Sequence, residues 1–166
     1  MKLAVIKRLG LFFIWILLQV VLFNTINLFG YATPFLYIYP FICFNTQMSK
    51  NEQLLWAFFV GLAIDLFANT PGVNAAATLV LVFFRLPILH LYTPHDSWED
   101  VMPSVYSIGH IPFLKYLISL VLLHHLVLFS LDAFSFINIS LLLTKWLVSS
   151  MFTILCLWGI SSVERR

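Results

Sequence analysis

Long apolar runs separated by short polar breaks dominate the chain, and the run lengths are those of helices in lipid. No charged residue occurs from Leu9 to Ser49, and a spanning helix needs about 20 largely apolar residues. That stretch has room for two spans, with Asn24, Thr25, Asn27, Gly30 and Pro34 as the turn residues between them. The polar cluster Gln47-Met48-Ser49-Lys50-Asn51-Glu52 sets off a third span over 53–68, Asn69 to Asn74 reads as a turn, and a fourth span runs to about Tyr92. A polar connector over 93–112 carries Pro94, Pro103 and Pro112, and two further apolar runs, 113–131 and 137–160, bring the predicted spans to six. Within the connector, Trp98, Val101, Met102, Val105 and Tyr106 recur at amphipathic helical spacing. A short surface helix and a solvated loop are both open there, because Pro103 interrupts the stripe.

Composition turns this pattern into a fold class. Of 166 residues, 61% are hydrophobic and 10% charged, with a mean hydropathy of +0.98, whereas soluble domains carry about 25% charged residues. So little polar surface cannot cover a protein in water, and the predicted class is an all-α integral membrane protein: a single transmembrane domain over 1–166 with about six helices. The start Met1-Lys2…Lys7-Arg8 followed by an apolar run resembles a signal peptide. The run is too long, however, and no small-residue cleavage site follows, so a retained helix is expected. Net charge is only +2 and the nine Lys/Arg are scattered, which gives no nucleic-acid footprint. Cys43 and Cys156 lie among apolar residues and read as packing residues.

The positive-inside rule orients the spans. An even number puts Lys2, Lys7, Arg8, Lys50, Arg165 and Arg166 on one side, with Arg85 and Lys115 near it. The opposite connectors, Asn24–Thr33, Asn69–Asn74 and Asp132–Phe136, contain no Lys or Arg. Both termini and the 93–112 connector are therefore expected to be cytoplasmic; Lys145 alone fits poorly.

Candidate chemistry centres on Asp65. Ala57, Gly61 and Asp65 fall at i, i+4 and i+8 on one helix face, and small residues on such a face let helices approach closely in lipid. Asp65 sits one turn before Asn69-Thr70-Pro71-Gly72. It either clamps a helical hairpin, accepting bonds from Thr70 or from N–H groups at the start of the next helix, or forms a substrate, ion or proton site. His124 and His125 are read as neutral imidazoles bonded to neighbouring helices. The alternative is a proton relay, since His125 and Asp132, seven apart, share a face. Arg85 is expected to reach the head groups or to pair with a neighbouring helix at Glu52. Neither a metal-ligand spacing nor a catalytic constellation is present in the sequence, so no cofactor and no enzyme activity are expected.

Gly61-Leu62-Ala63-Ile64-Asp65-Leu66, then Asn69-Thr70-Pro71-Gly72 and an Ala-rich helix start, resembles the rod shape-determining MreD family. The match is strongest over 55–86. His124-His125 and the turn Asp132-Ala133-Phe134-Ser135-Phe136 resemble the form found in the Bacteroidota. The resemblance implies a multi-pass subunit of the bacterial inner membrane belonging to the cell-wall elongation machinery. Its implied partners are MreC, the actin-like MreB and the transglycosylase–transpeptidase pair that makes peptidoglycan. It also implies the six-helix fold of the substrate-binding subunits of energy-coupling-factor transporters. Ala57, Gly61, Asp65, Thr70, Pro71, Gly72, Arg85, His124, His125 and Asp132 are then the residues expected to carry structure or partner contact. A vitamin- or metal-transporter subunit fits the same size, with Asn24, Thr25, Asn27, Asn69, Thr70, Asn74 and Asp132 as its pocket.

Overall fold

A computed structural model describes residues 2–23, 33–93, 100–133 and 139–163. All regular structure among them is helical. Helix α1 (Lys2–Leu18) continues through a π-helical turn, Gln19–Phe23. A 3-10 turn (Leu36–Ile38) leads into the four-residue α2 (Tyr39–Ile42). Then follow α3 (Lys50–Ala68), α4 (Val73–Tyr92), the short α5 (Val105–Ile108), α6 (His110–Asp132) and α7 (Ile139–Val163). Four of these, α3, α4, α6 and α7, are long and apolar enough to cross a membrane. Helix α4 lies between α3 and α6, and α6 packs in turn on α7.

Local chemistry sets the helix ends. Ser49 caps α3 by accepting the Glu52 N–H at 3.3 Å. The α3–α4 turn uses two left-handed residues, Asn69 at φ 55° and Gly72 at φ 81°. Among the described residues of the connector, Val105–Ile108 forms a short helix closed by a reciprocal Ser104–Ser107 capping box, and His110 to Pro112 already belong to α6. The amphipathic stripe does not form one helix: Pro103 and Val105 are buried, Met102 and Tyr106 are exposed, and Trp98 lies outside the described residues.

The second predicted span is not a helix. Residues 33–49 hold only the 3-10 turn and α2. Pro40 sits in the first turn of α2, where its missing N–H costs nothing, and the helical turns stop after Ile42. Yet residues 34–42 form the longest unbroken buried run among the described residues, with Tyr37, Ile38, Phe41 and Ile42 fully enclosed. Irregular backbone in a protein interior needs partners for its polar groups, and here side chains from the π-helical turn, α6 and α7 supply them. Gln19 Oε1 accepts from Leu36 N at 2.8 Å and from Tyr37 N at 3.4 Å, while its Nε2 donates to Pro34 O at 2.9 Å. Ser149 Oγ and Thr153 Oγ1 accept from Thr33 N and Phe35 N, each at 3.2 Å. Tyr116 donates its hydroxyl to Ile42 O at 3.0 Å.

Gln19→Leu is expected to strip three of these backbone groups at once. A loss of roughly 2–4 kcal/mol follows, measurable as a lower melting temperature of the purified protein, with Gln19→Glu recovering part of it through the retained acceptor.

Candidate functional site

The α3–α4 hairpin closes on Asp65, which is 3% exposed. Its Oδ1 accepts from Thr70 Oγ1 at 2.8 Å, Asn74 N at 2.9 Å and Asn74 Nδ2 at 3.0 Å; its Oδ2 accepts from Ala75 N at 2.9 Å. The Asp65 carbonyl also takes the Thr70 N–H at 3.1 Å. Helix α4 begins at a glycine cap, Gly72, which has no side chain to cover its free N–H groups. Asp65 does so from the neighbouring helix. Its charge sits at the positive end of the α4 dipole, where a carboxylate is favoured.

Gly61 makes this approach possible. A Cβ placed there would lie 2.5 Å from Ala75 Cα and 2.9 Å from Ala75 N. Ala57, on the same α3 face, is fully buried. Pro71 and Gly72 are exposed and shape the turn rather than touching the carboxylate.

From Asp65 a hydrogen-bonded chain runs into the core. Tyr37 OH lies 3.3 Å from Asn74 Oδ1, 3.0 Å from Thr78 Oγ1 and 3.0 Å from His124 Nε2. Thr78 donates its own hydrogen to Asn74 O at 2.7 Å. Tyr37 donates its single hydrogen to Asn74 Oδ1, and we assign the His124 proton to Nε2, donating to the Tyr37 oxygen. This leaves His124 Nδ1, which has no partner, as a bare lone pair rather than a buried N–H.

The adjacent His125 belongs to a second chain. Its Nδ1 donates to Val121 O at 2.9 Å, and its Nε2 sits 3.1 Å from the same Thr153 hydroxyl that accepts Phe35 N. Both histidines are fully buried and join α6 to the broken segment or to α7. Tyr37→Phe is expected to cost about 1–2 kcal/mol in thermal stability, since one hydroxyl serves three partners.

Two expectations change. Asp132 does not join His125: it is exposed at the end of α6, while His125 turns inward to Thr153. Arg85 neither reaches the head groups nor pairs with Glu52. It is fully buried, donating from Nη1 to Gln53 Oε1 at 2.9 Å and from Nε to Ile42 O at 3.4 Å, with Nη2 unpartnered. Glu52 is bonded instead to Arg8 of α1. The cause is the broken segment, whose Ile42 carbonyl has no helical partner and draws the guanidinium inward.

Sequence reading passed over Gln19, Tyr37, Gln53, Tyr116 and Thr153, all of which hold the interior together. Gln19 carried a signal, as the lone amide inside an apolar run; Tyr37 and Tyr116 were indistinguishable from aromatic filler. Among the described residues, no group of three His, Cys, Asp or Glu converges. Asn74 and Thr70, candidate pocket residues, spend their polar groups on Asp65 and on each other. Asn69 is exposed, and Asn24, Thr25 and Asn27 lie outside the described residues. No family model, curated protein or solved structure matches the chain.

Proposed function

We propose that this chain is a non-enzymatic scaffold subunit of the bacterial cell-wall elongation machinery, an MreD-like protein of the inner membrane that holds MreC and the peptidoglycan synthases together. The observation that carries this reading is the use made of the resembling block. Gly61, Asp65, Thr70 and the first residues of α4 form one interlocked unit, in which Asp65 and Thr70 bond to one another and to the start of α4 and Gly61 lets the two helices meet. A motif devoted to joining helices suits an assembly subunit.

Broad apolar faces outside the core fit the same reading. Phe13 and Leu17 on α1, and Leu147, Met151 and Leu155 on α7, are exposed. They offer partner helices a surface where association rests on close packing. In this reading the polypeptide crosses six times, with α1 and the broken 33–48 segment added to the four long helices. Arg8 and Glu52 lie at the end of α3 remote from Asn69, so the Lys/Arg-bearing end faces the cytoplasm together with both termini and the connector.

The test is to tag the C-terminus, crosslink in native membranes and identify what co-purifies. Recovery of MreC and peptidoglycan synthases is expected. Recovery of an ATPase pair with a coupling membrane subunit would replace this reading with that of a transporter component.

A further inference from the structure

A cavity of about 790 Å³ opens at the Arg8 end of the bundle, away from the Asp65 hairpin. Its walls are α1, the 39–48 segment, residues 102–106 of the connector and the last turns of α7. Helix α1 packs on the 3-10 turn and α3, and α7 packs on α6; the cavity lies between α1 and α7.

The cavity is polarised. Arg8, Leu11, Phe12 and Trp15 line it from one face of α1. From the Arg8 level to the Trp15 level is seven residues, about 10 Å of helix. Leu11, Phe12 and Trp15 make the α1 wall beyond Arg8 apolar and aromatic, Asn45, Ser104 and Ser161 also line the cavity, and the Arg8 end holds a guanidinium whose side chain is 36% exposed. The hydrogen bond described for Arg8 uses Nη1 alone, toward Glu52, and a guanidinium has five donors. On the far wall, Gly159 leaves room: an added Cβ would meet no atom within 4 Å.

We infer that this cavity binds one anionic phospholipid, with an acyl chain along Leu11, Phe12 and Trp15 and its phosphate on the free N–H groups of Arg8. Water gains little in an apolar cavity, and acyl chains are what surrounds a chain of this hydropathy. A hydrocarbon tail joined to a negative head is the chemistry that matches both ends, because a guanidinium fork recognises phosphate bidentately. Exposed Lys7, adjacent on α1, adds to the same field. The assignment does not depend on which proteins the subunit assembles with.

Native mass spectrometry of the full-length protein in mild detergent tests it, using phosphatidylglycerol and phosphatidylcholine with identical acyl chains. The wild type is expected to retain one phosphatidylglycerol, with about fivefold preference over phosphatidylcholine. Gly159→Phe, which fills the cavity, is expected to reduce retention of both lipids by about tenfold or more. Arg8→Gln should keep a lipid bound while the preference falls to about one. Glu52→Gln breaks the same ion pair but leaves the guanidinium, so the preference should persist or rise. Equal retention of the two lipids by the wild type would overturn the inference. So would unchanged retention in Gly159→Phe, or loss of preference in Glu52→Gln to the level of Arg8→Gln. If Gly159→Phe lowers the melting temperature, the Arg8→Gln and Glu52→Gln ratios decide the matter alone.

Discussion

Gly61→Leu is expected to lower the amount of folded protein recovered from membranes by more than about tenfold. The reason is that the obstruction is backbone. A Cβ at position 61 would stand 2.5 Å from Ala75 Cα, 2.9 Å from Ala75 N and 3.0 Å from Asn74 O, and no rotamer change relieves contacts made by Cβ itself. The helices must separate, and separation draws the Asp65 carboxylate away from the N–H groups of Asn74 and Ala75 at the same time. Even Gly61→Ala should be strongly destabilising. Gly10→Ala supplies the control: an added Cβ on α1 meets nothing within 4 Å, so alanine should be neutral or stabilise by up to about 1 kcal/mol through its better helix propensity. Membrane abundance with melting of the purified protein measures both, and equal behaviour of the two alanine variants would remove close approach as the explanation.

Asp65→Leu is expected to cost roughly 4 kcal/mol or more, because four donors, two of them backbone N–H groups at the start of α4, lose their acceptor inside the protein. Asp65→Asn should fall between leucine and wild type, at about 2 kcal/mol. The amide oxygen can keep the Thr70 and Asn74 donors, but its NH2 then faces the Ala75 N–H and the charge at the helix dipole is gone. The order aspartate, asparagine, leucine should appear in the melting temperature of the purified protein without any added ligand or partner. Wild-type stability and abundance in Asp65→Leu, with partner recovery lost, would instead make the carboxylate a contact group and not a clamp.

Much of the molecule was legible in the order of its residues. The 3.6-residue period and the lengths of apolar runs locate α3, α4, α6 and α7 to within a few residues, since in lipid a backbone must satisfy itself locally and helix length follows membrane thickness. Ala57, Gly61 and Asp65 share a face by arithmetic alone, and the turn chemistry at Asn69 and Gly72 marks where the chain reverses.

The tertiary structure decided what becomes of everything that is not self-satisfying. Residues 33–48 carry no charge and are mostly apolar, so run length alone cannot separate a helix from a broken, buried segment. The difference lies in whether Gln19, Ser149, Thr153, Arg85 and Tyr116, distant in sequence, arrive to bond its open backbone. Arg85 illustrates the reason most plainly. By position it belongs at a membrane surface, and by packing it is fully buried against Ile42 and Gln53. Local sequence determines which residues can form helices and which faces are apolar; only long-range contact determines which polar groups meet inside, because in a low-dielectric interior each of them must find its partner somewhere in the fold.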